Sequence, residues 1–147
     1  MTRPSYAFGV SQFTTNPWSF EEDVEGYARL GVDTIEVCED KLDEGRIAEQ
    51  LALVGDRGLE ISSAQPSVRT LFPSRTQPEP KEPRERTARF RRAIERVAGF
   101  APGAPFVCNT GRPPGGNVRE VFDLAAREYR ELPDFAQSHG ARVARSP

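Results

Sequence analysis

The stretch Asp33-Thr34-Ile35-Glu36-Val37-Cys38-Glu39-Asp40 constrains this chain more than any other. Ile35 and Val37 alternate with Glu36 and Cys38, the two-residue period of a strand. Ahead of it, Phe20, Val24, Tyr27, Ala28 and Leu30 fall at helical spacing, and Gly31 is a natural stop. Behind it a second helical pattern begins near Asp43. A strand between two helices is the middle of a βαβαβ run, which implies a parallel sheet. Parallel strands are normally covered on both faces. A carboxylate at Glu36 is therefore costly unless it is used or paired.

The same reading extends in both directions. Residues 6–13 alternate and are rich in strand formers, and residues 14–18 form a turn. Ser19 and Glu22 have capping-box spacing. Helix two spans residues 44–57 with Ile47, Leu51 and Val54 on one face, and strand three spans 59–64. Residues 65–83 hold Pro66, Pro73, Pro78, Pro80 and Pro83, which neither a helix nor a central strand tolerates. A connection this long is either a lid or substrate-facing loop, or a loose insertion. Helix three spans 84–98 on a stripe of Phe90, Ile94 and Val97, and strand four spans 105–109. Asn117 caps helix four with Glu120 at the capping-box position. Its expected inner face is Val118, Val121, Phe122, Ala125, Tyr129 and Phe135, divided by Pro133. Residues 141–144 begin a fifth strand. Four βα units and the start of a fifth suit either a doubly wound sheet or half of a (β/α)8 barrel, and 147 residues form one α/β domain.

Composition narrows the partners. Twenty Lys and Arg against 22 Asp and Glu leave a net charge of -2, which argues against a nucleic-acid or membrane-surface binder. Cys38 and Cys108 lie inside expected strands without metal-site spacing, and no disulfide framework follows from two such residues. With no signal pattern and no apolar run near ~20 residues, the reading is a reducing, cytoplasmic setting.

Ligands of parallel α/β folds sit at the C-terminal ends of the strands. Gln12 and Thr14, Glu36 and Glu39, Gln65, and Asn109 and Thr110 fall there. Carboxylates and amides bond hydroxyls in defined geometry, so Gln12, Glu36, Gln65 and Asn109 are the candidate lining for a polyhydroxylated small molecule. Plain strand-end polarity is the competing explanation. Glu36 and Glu39 have odd spacing and point to opposite sides of a strand, so no metal site is expected within the chain. His139, the one histidine, reads as a cation at a helix end. Gly115-Gly116-Asn117 is either a backbone phosphate cradle or an ordinary loop and cap. Arg84, Arg86, Arg89, Arg91, Arg92 and Arg96 crowd helix three, where a solvated outer face is the usual meaning and a nucleic-acid surface the rarer one.

Several stretches in order resemble the sugar phosphate isomerase/epimerase family with the xylose isomerase-like TIM barrel. They are Phe8-Gly9-Val10-Ser11-Gln12-Phe13, Gly31-Val32-Asp33-Thr34-Ile35-Glu36-Val37-Cys38-Glu39, Gly58-Leu59-Glu60-Ile61-Ser62-Ser63, residues 105–116 and residues 136–144. The resemblance covers the whole chain but the N-terminal half of the barrel alone. Type II apurinic endonucleases share that fold. The resemblance implies metal-assisted proton transfer on a sugar or sugar phosphate, with Glu36 at an acidic strand-two position facing the pocket. It places the metal ligands on strands five to eight, beginning with a Glu that closes strand five. Ser146 stands at that position here. The expectation is a truncated, frameshifted or split barrel without a cofactor of its own, inactive alone. Such a half would close on a second copy or on a complementary half-barrel. A non-catalytic α/β binding or self-associating module is the alternative.

Overall fold

The computed structural model describes residues 6–144. Five parallel strands form one sheet in the order β1-β2-β3-β4-β5, with helices between them. The strands are β1 (Gly9–Ser11), β2 (Thr34–Cys38), β3 (Glu60–Gln65), β4 (Pro105–Val107) and β5 (Arg142–Ala144). The helices are α1 (Phe20–Arg29), α2 (Ile47–Asp56), α3 (Pro83–Val97), α4 (Val118–Tyr129) and α5 (Leu132–Ser138). Sequential order with no reversal is barrel-like. A doubly wound sheet has a point where strand order turns back.

The core lies between the helices and one face of the sheet. Ile35, Val37, Ala64 and Phe106 line that face, and Phe20, Val24, Leu51, Val54, Phe90, Ile94 and Leu132 meet them from the helices, all buried. Each of these side chains larger than alanine contributes about 1.5–3 kcal/mol when removed from water. The expected Ser19–Glu22 capping box is present, with both reciprocal bonds made. Pro133 does divide the last helical region, and Gly140 follows it at φ 73°.

Three expectations change. Strand one ends early because Thr14 N–H turns back to the Ser11 carbonyl at 2.9 Å, and ahead of it Tyr6 and Phe8 are exposed. Helix two starts at Ile47, since Asp43 Oδ1 accepts from Gly45 N–H and Gln50 Oε1 from Asp43 N–H. The inner face of α4 is Val121, Leu124, Ala125 and Tyr129, whereas Val118 and Phe122 are each 69% exposed. Residues 112–120 are all exposed, so the start of α4 has nothing among the described residues to pack on. Asn117 caps it by accepting from Arg119 N–H at 2.9 Å.

The proline-rich connection is not a loose insertion. Val68, Leu71 and Phe72 are buried. Leu71 and Phe72 N–H groups donate to the Asn109 and Thr110 carbonyls, extending the pairing of β4. Gly111 (φ 74°) permits this approach, because a Cβ there would lie 2.7 Å from Thr70 Cβ. Arg86, fully buried, anchors the segment. Its guanidinium donates to the Thr70 and Pro80 carbonyls at 2.5 and 2.8 Å and to Gln77 Oε1 at 3.1 Å. The arginine row of α3 is thus not a uniformly solvated face.

Candidate functional site

The register of β1, β2 and β3 sets Ser11, Glu36 and Ser63 side by side on the sheet face away from the helices. Ile35 and Val37 point the other way into the core, so Glu36 must face the concave side. Its carboxylate is held from both flanks. Ser11 Oγ donates to Oε1 at 2.7 Å and Ser63 Oγ to Oε2 at 2.9 Å. Bonds from hydroxyls to an ionised acceptor are among the stronger ones available to a partly buried charge. A bulge makes this possible. Ile35 pairs with Ile61 but Glu36 pairs with Ser63, so Ser62 is the extra residue, and its hydroxyl donates to the Ile35 carbonyl.

One layer toward the strand ends, Cys38 Sγ donates to Gln65 Oε1 at 3.6 Å. Asn109 is half-buried beyond β4, its carbonyl taking Leu71 N–H and the Tyr129 hydroxyl. Gln12 sits apart from this surface. It is fully buried, and its Oε1 accepts from Cys38 N–H at 2.9 Å, extending the β1–β2 ladder where β1 itself has ended. Glu39 is also turned away: it accepts from Ser67 N–H at 2.8 Å and from Arg96 at 2.6 Å.

Behind the serine on β1 lies a buried ionic cluster. Asp23, with no exposure, pairs with Lys41 Nζ at 2.6 Å and accepts from Thr15 Oγ1. Lys41 also donates to the Thr15 carbonyl, and Tyr27 Oη donates to the Ser11 carbonyl at 3.1 Å. The cluster ties α1 and the segment after β2 to the end of β1, and so fixes the backbone carrying Ser11. Burial pushes the Tyr27 hydroxyl above its ordinary pKa.

Neither thiol is poised for chemistry. Burial, with the Asp40 and Glu36 charges, pushes Cys38 up to about 11, and burial pushes Cys108 up to about 12. The residues at hand do not fit a divalent cation. Among the described residues no three of His, Cys, Asp and Glu come together. Glu39, the other carboxylate near the end of β2, is turned away from Glu36 and serves Arg96. Ser146 lies outside the described residues. His139 is exposed at the end of α5 with Nδ1 2.9 Å from the Phe135 carbonyl. Gly115 and Gly116 lie in an exposed loop. On α3, Arg91, Arg92 and Arg96 pair with Glu131, Glu44 and Glu39. Among the described residues no helix is long and apolar enough to cross a membrane.

Sequence reasoning found Glu36 but not its partners. Ser11 was available from alternation, two residues after Gly9 on the same pleat. Ser63 was hidden by the bulge, which no residue type announces.

No family model matches this chain, and no curated protein does. Solved structures do. Protein SMc04130 from Sinorhizobium meliloti 1021 superposes with a TM-score of 0.70 at 19% identity, over 96% of this chain and 50% of that one. D-psicose 3-epimerase from Clostridium cellulolyticum H10, solved with D-tagatose, gives 0.68 at 14%, over 94% and 51%. A xylose isomerase domain containing protein from Salmonella typhimurium LT2 gives 0.65 at 16%, over 100% and 51%. The chain spans about half the length of each of them. The half-barrel anticipated from the sequence is therefore the fold observed: five parallel βα-connected strands of the xylose isomerase-like TIM barrel, from its N-terminal half.

Proposed function

We propose that this chain carries the strand-one-to-five side of a sugar pocket from the isomerase/epimerase barrels it resembles in fold. Glu36, Gln65 and Asn109 are its ligand-facing groups, and Gln12 supports them from behind. The observation that carries the reading is the Glu36 carboxylate, suspended between two serine hydroxyls on the concave face. Each carboxylate oxygen keeps a free lone pair for a sugar hydroxyl. The ligand is a sugar or sugar phosphate. For a full barrel the resemblance implies metal-assisted proton transfer that interconverts ketose and aldose or inverts a carbon next to a carbonyl. No step through a metal is assigned to the residues described here, and the chain alone is expected to turn nothing over.

The test is a titration of the isotopically labelled chain with D-tagatose and D-psicose, followed by NMR. Shifts should concentrate on Ser11, Glu36, Ser63 and Gln65. Glu36→Gln should weaken binding about tenfold, the worth of one hydrogen bond to a charged group. Shifts spread evenly over the surface, or an unchanged affinity in the variant, would sink the reading.

A second reading has its own observation. Among the described residues β1 and β5 each have one neighbour, so the sheet has two open edges. Such edges recruit strands. An association module, pairing with a complementary half-barrel or another copy, follows from that feature without any catalysis.

A further inference from the structure

Most of the arginine row on α3 is accounted for. Arg86 is buried against carbonyls, and Arg91, Arg92 and Arg96 pair with Glu131, Glu44 and Glu39. Arg84 and Arg89 remain, both exposed, with no ion pair or hydrogen bond on their side chains among the described residues. Arg84 opens into a cleft between α3 and α4 of about 290 Å3. Arg84, Thr87 and Arg91 line it from α3, Arg127 and Glu128 from α4, and Glu131 from the turn before α5. Spacings of three and seven residues set the three α3 side chains on one helix face. The walls come from helices alone, so the cleft is separate from the strand face that carries Ser11, Glu36 and Ser63.

Three guanidinium groups share this space with two carboxylates. Glu131 is committed, its Oε2 accepting from Arg91 Nη2 at 2.9 Å. Glu128 forms no ion pair with Arg84 or Arg127 among the described residues, and Arg127 is exposed and as unpartnered as Arg84. Two accessible cations therefore meet in one cleft with a single uncommitted acid, and an oxyanion placed between them relieves their repulsion. Arg91 is already held in place. Its Cζ lies 5.2 Å from the Phe135 ring centroid, which together with Glu131 fixes the guanidinium plane and leaves it further N–H donors. Forked guanidinium donors match the oxygen spacing of a phosphate.

We propose that the cleft between α3 and α4 is a binding site for a phosphoryl group, held by Arg84 and Arg127 with Arg91 as a preset third donor. Its volume is near the lower end for small-molecule clefts, about 300 Å3, which suits free phosphate or a short phosphate monoester. The bound group bridges the two helices and so tethers α4, whose first turn is exposed. The site does not depend on the sugar-pocket reading.

The experiment titrates the labelled chain with inorganic phosphate or with glycerol 3-phosphate, at constant ionic strength set by sodium chloride, and follows the arginine Nε–Hε signals by NMR. The Arg84 and Arg127 signals, assigned by their loss in Arg84→Gln and Arg127→Gln, should shift and saturate. Each of these substitutions should weaken binding about tenfold. Glu128→Gln removes the competing carboxylate and should tighten binding about threefold. Arg75→Gln, which removes an exposed arginine outside the cleft, should leave it unchanged. Tighter binding of the ester would identify a phosphate monoester as the ligand, and equal or weaker binding would identify free phosphate. Both results uphold the site. Shifts that do not saturate, an equal loss in Arg75→Gln, or phosphate shifts at Ser11, Glu36 and Ser63 in place of the cleft would overturn it. A failed D-tagatose titration would remove the sugar pocket and leave this site standing.

Discussion

At the scale of the residue, the chain shows how much of a site alternation can reveal. Glu36 stood out because an acidic residue alternated with core residues in a parallel strand, and the structure supplies the donors that make it tolerable. Position at the end of strand one put Gln12 on the ligand side, and there the early turn intervened. Once the chain turns at Thr14, the Gln12 side chain completes the ladder through Cys38 N–H and is buried. The two cysteines give a prediction with a definite sign. Native Cys38 and Cys108 hold their protons up to about 11 and about 12, against 9.0 for an ordinary thiol. Between those values the unfolded chain releases protons that the folded chain keeps, so stability falls as pH rises. The decline should start near 9 and level off for Cys38 near 11 and for Cys108 near 12. Urea midpoints taken across the alkaline range should show it, and Cys108→Ala should flatten its upper part. Parallel curves for the two proteins would mean that Cys108 is not buried as described.

At the scale of the element, the connection between β3 and α3 was half legible. Its prolines excluded helix and central strand, and that held. Its packing was signalled by Val68, Leu71 and Phe72, three apolar residues within five positions, a signal that the proline count outweighed. What no local pattern could show is that an arginine on the following helix would be the anchor. Burial holds the Arg86 guanidinium below its ordinary pKa, with the Glu79 charge opposing, and among the described residues no carboxylate forms an ion pair with it, so its bonds to carbonyls and an amide must offset the desolvation. Arg86→Met fits the volume but leaves the Thr70 and Pro80 carbonyls without that donor. It should cost about 2–4 kcal/mol in urea unfolding. It should also speed amide exchange at Leu71 and Phe72 before any global change. Unaltered exchange at those two amides would show that the apolar contacts alone hold the segment. Helix α4 has the opposite history. Its period was read correctly, but the face was rotated, because a periodic sequence does not say where its neighbours stop.

At the scale of the whole molecule, the βα alternation was legible from the first strand, but the choice between a doubly wound sheet and a barrel was not. That choice depends on strand order, which is non-local, and the observed order β1-β2-β3-β4-β5 decides it for the barrel. The order also constrains what can close the sheet. A barrel of this class has eight strands. The described residues supply five, so three would complete it, whereas a second set of the same five would overfill it. Self-closure into a matched dimer is thus geometrically poor, and open edges at Gly9–Ser11 and Arg142–Ala144 should drive looser association. Light scattering should give a mass above that of the monomer which rises with concentration. Adding a separately expressed segment with strands six to eight of a structurally similar epimerase should convert that mixture to a one-to-one complex, and near-UV circular dichroism should strengthen. A discrete dimer at every concentration, with sharp aromatic signals, would mean that two copies have found a closed packing and that no complementary half-barrel is needed. A strict monomer indifferent to the added segment would mean that these edges are not interaction surfaces.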